Sequence, residues 1–294
     1  MQHLWIFLIL LYGIFKGLRE ALKKKAMETN SILEVLFFYT FFAFLLTIPF
    51  SRDILSVSLE YHIAILIKSF AIFVAWLCAL NSIKRLPLSV YSVMDMGRMV
   101  FSILCGVIFL NESLGYLQIV GIILVITGIT LVNLKKKGNI GAETTYKVVP
   151  LILISCILNA LSGTLDKFLL STSPDRWLYG DDVLTASQMQ FWYMLYLTLF
   201  YLIYILIKKE KINVKKCLKC PWIYILSVLF IIADRALFIA NTDPNSTVVI
   251  MTLVKQSSVL VSIALGRIIY KEKNILYRIL CALLIIAGIV ISVI

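Results

Sequence analysis

The residues of this 294-residue chain able to do chemistry are charges embedded in apolar runs. Lys16, Arg19 and Glu20 lie in the first run, Lys68 in the third, and Asp95 and Arg98 in the fourth. Asp166 and Lys167 lie in the sixth, Asp234 and Arg235 in the eighth, and Lys255 in the ninth. A charge at hydrocarbon depth costs at least ~2.5 kcal/mol by insertion scales, so such groups face a partner or a cavity. Asp95 and Arg98 are three residues apart on one helix and can neutralise each other. Asp234 and Arg235 are adjacent, about 100° apart around a helix axis, and need separate partners; Lys68 is one candidate for Asp234. For Arg19, Glu20, Asp166 and Lys167, near the ends of their runs, reaching out to the interface competes with solute contact. The set holds seven basic and four acidic side chains. That surplus favours a solute carrying an anionic group, such as a phosphate, a carboxylate or a nucleotide sugar. The opposite chemistry is a proton-coupled exporter of cationic or amphipathic compounds, in which Glu20, Asp95 or Asp166 exchanges a proton for the cation.

The elements that carry these charges are transmembrane helices. Hydrophobic residues make up 61% of the chain and charged ones 15%, too few polar groups to cover a water-soluble core. The runs fall near 3–22, 32–50, 61–81, 88–110, 115–134, 147–169, 183–207, 221–241, 248–269 and 275–294. Each approaches the ~20 residues that cross hydrocarbon as a helix, and none shows the ~10-residue alternation of a membrane barrel. The expectation is an all-α polytopic membrane protein of ten helices. The first run lacks a basic leader and a small-residue cleavage site, and reads as a retained helix. Gly13 and Gly17 form a G-x-x-x-G suited to close helix packing. The aromatic stretch 191–204, with Phe191, Trp192, Tyr193 and Tyr196, reads mainly as packing or lipid-facing material.

Comparing residue n with n+160 gives an internal repeat. Ser102, Gly106, Glu112 and Gly128 match Ser262, Gly266, Glu272 and Gly288, and Asn81 matches Asn241. Asp95 falls on Lys255 and Arg98 on Ser258, so spans four and nine carry polar stripes at i, i+3, i+7. Aligning Gly17 with Gly163 brings Glu20 onto Asp166. Five spans per half make the second copy enter from the opposite side, an inverted repeat. The expected division is 1–134 for the first half, 135–146 for a basic connecting loop and 147–294 for the second half. Asp95 and Lys255 each lie about 11 Å into their spans at 1.5 Å per residue. In a ~30 Å core this sets them roughly 8 Å apart along the normal, flanking a small solute near the midplane.

The segments FLNESLGYLQIVGIILVITGITLVN (109–133) and IYKEKNILYRILCALLIIAGIVISV (269–293) resemble the "gE…GxxLIxxGv" ends of the two repeats in the EamA branch of the drug/metabolite transporter superfamily. ALNSI (79–83) resembles that family's "YALxxi" turn. The resemblance implies a ten-helix transporter working by alternating access around a central cavity. It implies no particular substrate, since the family's range runs from amino acids and choline-like cations to nucleotide sugars and sugar phosphates. Lys255, in TLVKQSSVLVS, resembles the span-nine lysine of the sugar-phosphate and nucleotide-sugar branches, whose ammonium neutralises phosphate.

The expected site is therefore substrate-binding and comprises Asp95, Arg98, Lys255, Lys68, Asp234, Arg235, Lys16, Glu20 and Asp166, with no cofactor and no metal. An enzyme is not expected: His3 and His62 are the only histidines, and no Gly-rich phosphate loop or carboxylate cluster occurs in a loop. A membrane scaffold or sensor is the reading outside transport. The net charge of +12 resides in clusters such as Lys23–Lys25, Lys135–Lys137 and 208–219, which read as topology signals facing anionic lipid, not as a nucleic-acid surface. They place both termini outside the cytoplasm, against the family's usual orientation, in a bacterial inner membrane. The expected partners are the bilayer and a small-molecule solute, with protons or a counter-substrate open for coupling and a homodimer open for assembly. Cys217 and Cys220 form a C-x-x-C whose readings are an ordinary reduced loop or a redox pair.

Overall fold

In the computed structural model, residues 4–50, 54–110, 115–134, 142–170, 184–243, 246–271 and 275–291 are described. Among them the regular structure is all helical. The helices are α1 (Leu4–Ala26), α2 (Ile32–Thr47), α3 (Leu59–Arg85), α4 (Leu88–Asp95), α5 (Arg98–Leu110), α6 (Tyr116–Leu134) and α7 (Ala142–Leu170). They continue as α8 (Ala186–Lys208), α9 (Val214–Leu218), α10 (Pro221–Thr242), α11 (Val248–Val254), α12 (Ser257–Tyr270) and α13 (Ile275–Ile291). Among the described residues seven segments are long and apolar enough to cross a membrane, from Ile32–Phe50 through Ile250–Tyr270, and two shorter apolar ones lie in α6 and α13.

Local sequence fixes several boundaries. Ser31 and Glu34 form a capping box at the start of α2, and Thr185 and Gln188 form one at α8, each satisfying amides that would otherwise lack acceptors. Pro221 occupies the first turn of α10, where no amide donor is missed. The fourth and ninth expected spans are each broken in the middle. Around Met96–Gly97 and Lys255–Gln256 the backbone tightens into i→i−3 bonds, Met99 N to Met96 O at 3.0 Å and Val259 N to Gln256 O at 2.9 Å. The two breaks stand 160 residues apart in sequence.

The helices interlock across the chain. α1 packs on α10 and α12, while α3 packs on α7 and α8 and α5 on α7. α2 lies against α8, and α6 against α13. The aromatic core where α2, α3 and α10 meet stacks Tyr39 with Trp76 at 5.5 Å and sets Phe230 edge-on to both. Large apolar side chains such as Phe7, Ile67, Leu206 and Ile207 point outward instead. Polar inside and apolar outside is the arrangement a bilayer demands.

Two sequence expectations change here. Lys23–Lys25 are not a free loop cluster but the last turn of α1. Lys24 donates to the Leu86 carbonyl at 2.8 Å and Lys25 pairs with Glu28 at 2.6 Å, which leaves Lys23 turned inward. In the described loop that carries the C-x-x-C, Cys217 is fully buried, its thiol near Asn30 Oδ1 at 3.8 Å. Burial, then the Glu34 carboxylate, pushes that thiol up to about 11. Lys135–Lys137, Glu112 and Glu272, which enter the charge-cluster and repeat readings, lie outside the described residues.

Candidate functional site

The first helix sets the site. Tyr12, Lys16, Arg19, Glu20 and Lys23 follow helical spacing and form one stripe facing a shared cavity. That stripe makes α1 more highly charged than the helices it packs on. Opposite it stand Lys68 and Trp76 of α3, Asp95 and Arg98 at the first helix break, Ser162 and Asp166 of α7, Asp234 of α10, and Lys255 in the second break.

Of the nine residues expected at the site, eight line this one cavity. The ninth, Arg235, does not: adjacency to Asp234 turns it away, to Gln190 Oε1 at 3.4 Å and the Phe50 ring at 5.9 Å. Lys167 also turns away. It donates to the carbonyls of Asn241 and Asp243, at 3.2 and 2.9 Å, and to Ser246 Oγ at 2.7 Å, closing the end of α10.

The carboxylates are all engaged. Asp95 Oδ2 receives Lys16 at 2.8 Å and Arg98 at 3.2 Å, so the i, i+3 pair forms but shares its acid with α1. Glu20 lies 3.7 Å from the same Lys16 ammonium and accepts from Ser92 Oγ at 3.3 Å. The suggested Lys68–Asp234 pairing is replaced by two others. Lys68 reaches Asp166 at 2.6 Å, and Asp234 pairs with Arg19 at 3.6 Å. Lys68 also lies over the Tyr193 and Phe238 rings at 3.8 and 4.8 Å, and both rings line the cavity.

Two lysines of the lining, among the described residues, have no carboxylate within ion-pair distance: Lys255, 5.6 Å from the Tyr12 ring, and Lys23, 5.2 Å from the Trp76 ring. A ring face supplies roughly 0.5–2 kcal/mol to a cation, less than the several kcal/mol that effective desolvation of an ion costs. Six cations and four acids line the cavity. Sequence reasoning named Arg19 only as a charge near a helix end and Lys23 only as a topology signal. The i, i+4, i+7, i+11 spacing of Tyr12, Lys16, Arg19 and Lys23 was the signal that unites them. No group of three or more His, Cys, Asp or Glu among the described residues could hold a metal ion.

Close packing holds the second break in place. A Cβ on Gly13 would meet Ser257 Oγ and lie 3.4 Å from the Lys255 carbonyl, and one on Gly17 would lie 2.6 Å from the Ser258 carbonyl. The G-x-x-x-G is thus the seat of α12 on α1, as its spacing suggests.

A search of curated proteins gives no match. Among solved structures 23 chains match. One crystal structure aligns with a TM-score of 0.65 over 97% of this chain and 95% of that one, at 12% identity, a likeness of fold alone. Residues 3–134, which supply the α1 stripe, Lys68, Asp95 and Arg98, match the EamA-like transporter family. With several helices long and apolar enough to cross a bilayer around an inward-facing charged cavity, the chain is an integral membrane protein, and its residues 3–134 are similar to the EamA-like transporters of the drug/metabolite transporter superfamily.

Proposed function

We propose that this protein is a secondary active transporter of a small polar anionic metabolite, phosphorylated or carboxylated, and that it works by alternating access. The observation that carries the reading is the charge balance of the cavity. All four of its acids lie beside cations of the protein, and Lys255 and Lys23 are left over. A cationic solute would enter a cavity already positive and find each carboxylate occupied. Exchanging a proton for it would first require breaking an ion pair.

The architecture proposed with it is ten spans in two inverted halves, 1–134 and 147–294. Three features support this. The helix breaks recur at the 160-residue offset, with Asp95 and Lys255 in equivalent places. Packing recurs in exchanged form, α1 on α10 answering α7 on α3, and α1 on α12 answering α7 on α5. Finally, broken helices at corresponding positions are where such transporters place their sites. Basic residues at the ends of α1, α3, α8 and α12 support termini outside the cytoplasm.

Reconstituted in proteoliposomes, the protein should move anionic solutes in preference to cationic ones of similar size. Lys255→Ala should lower that uptake by about tenfold or more, an interaction of at least ~1.4 kcal/mol, while Lys255→Arg keeps a substantial part of it. Uptake of cations alone, or a Lys255→Ala variant with unchanged affinity and rate, would sink the reading.

A further inference from the structure

We propose that Lys23 is a second anion anchor, and that the solute therefore carries two separated acidic groups. The inference rests on the anionic-solute reading but makes a separate demand. Lys23 is one of three consecutive lysines, and the other two are engaged: Lys24 holds the Leu86 carbonyl and lies over the Tyr270 ring, and Lys25 pairs with Glu28. Lys23 alone turns to the cavity, flanked by the faces of Trp76 at 5.2 Å and Tyr39 at 5.9 Å. The acids nearest along its stripe are taken. Glu20 lies beside Lys16 and Ser92, and Asp234 beside Arg19. Arg19 in turn packs on Phe230 at 4.7 Å, which Tyr39 and Trp76 also touch edge-on. The result is an aromatic-walled bay with one uncompensated ammonium at its end.

Lys255 occupies a different level. Its backbone packs against Gly13, and its ammonium faces Tyr12. Gly13 and Lys23 are ten residues apart on α1, a rise of ~15 Å, which the reach of the two lysine side chains can shorten. A single small anion cannot neutralise both lysines at once. A solute with an acidic group at each end can, with the Lys16–Asp95–Arg98 cluster between its ends. Trp76 and Tyr39 would then border the second acidic group, where flat apolar walls exclude water and strengthen the charge contact.

The test compares thermal stabilisation of the purified full-length protein by matched pairs of probes, since a ligand bound to the folded state raises apparent stability. The pairs are α,ω-dicarboxylates against ω-hydroxy monocarboxylates of equal length, and sugar bisphosphates against the corresponding monophosphates. Wild type should favour the doubly charged member of at least one pair by about tenfold in affinity. Lys23→Gln should erase that preference, and Lys23→Arg should retain it. Lys255→Gln should weaken both members. Retention of the preference in Lys23→Gln, or no preference in wild type, overturns the second anchor while leaving the anionic reading intact. Stabilisation by cationic solutes only, or by no probe of either series, overturns both.

Discussion

Lys68→Met is expected to destabilise the folded protein by about 3–5 kcal/mol, and adding Asp166→Asn is expected to recover most of that loss. Lys68 is 1% exposed and Asp166 5%, and their 2.6 Å contact joins α3 to α7. Removing the ammonium strands a carboxylate among apolar helices, and a stranded buried charge costs far more than the pair itself contributes. Removing both leaves methionine beside the Tyr193 and Phe238 rings, where a sulfur-bearing chain packs well. Tryptophan fluorescence during denaturant titration in a mild detergent measures the wild type and both variants. A single variant as stable as wild type, or a double variant no better than the single, would show that the pair is not buried in the working protein.

The second expected result is a difference between two glycines that both lie one turn before a carboxylate of the cavity, Gly17 before Glu20 and Gly163 before Asp166. Gly17→Ala should destabilise by about 1–3 kcal/mol or more, because overpacking of a close contact is costly and the atom met is backbone. Its new Cβ would lie 2.6 Å from the Ser258 carbonyl oxygen and 2.7 Å from Val261 Cβ. Gly163→Ala should be neutral or stabilising by up to ~1 kcal/mol, the gain in helix propensity. A Cβ there meets nothing within 4 Å and extends toward the cavity. The same denaturant titration decides it. Equal effects at both positions would mean that α1 does not seat on α12 as described.

Much of this was legible in the sequence, for definable reasons. Hydrophobic runs located the helices to within a few residues, since a bilayer imposes length and composition on every crossing. Charges at membrane depth pointed to the cavity because lipid leaves them no other place, and eight of nine were found there. What could not be read was pairing. Lys68 faces both Asp166 and the Asp234 side of the cavity, and only the packing of α3 on α7 assigns it. Arg235 was misplaced for a related reason: with Asp234 beside it, one of the two had to turn away, and periodicity alone does not say which. Lys23 was hidden by company. A run of three lysines looks like one feature, yet each side chain leaves the helix in its own direction and meets a different environment.

The crossed pairing of the halves has a bearing on how the protein is made. Arg19 meets its acid, Asp234, only when α10 has emerged, and Lys68 waits for α7. Until then, nascent α1 and α3 carry cations into the membrane without their counter-ions. The first half on its own would present a charged face to lipid and should be a poor independent unit for quality control to accept. α1 is therefore expected to settle only after α10 has emerged, so loss of Asp234 is expected to loosen α1 as well as α10.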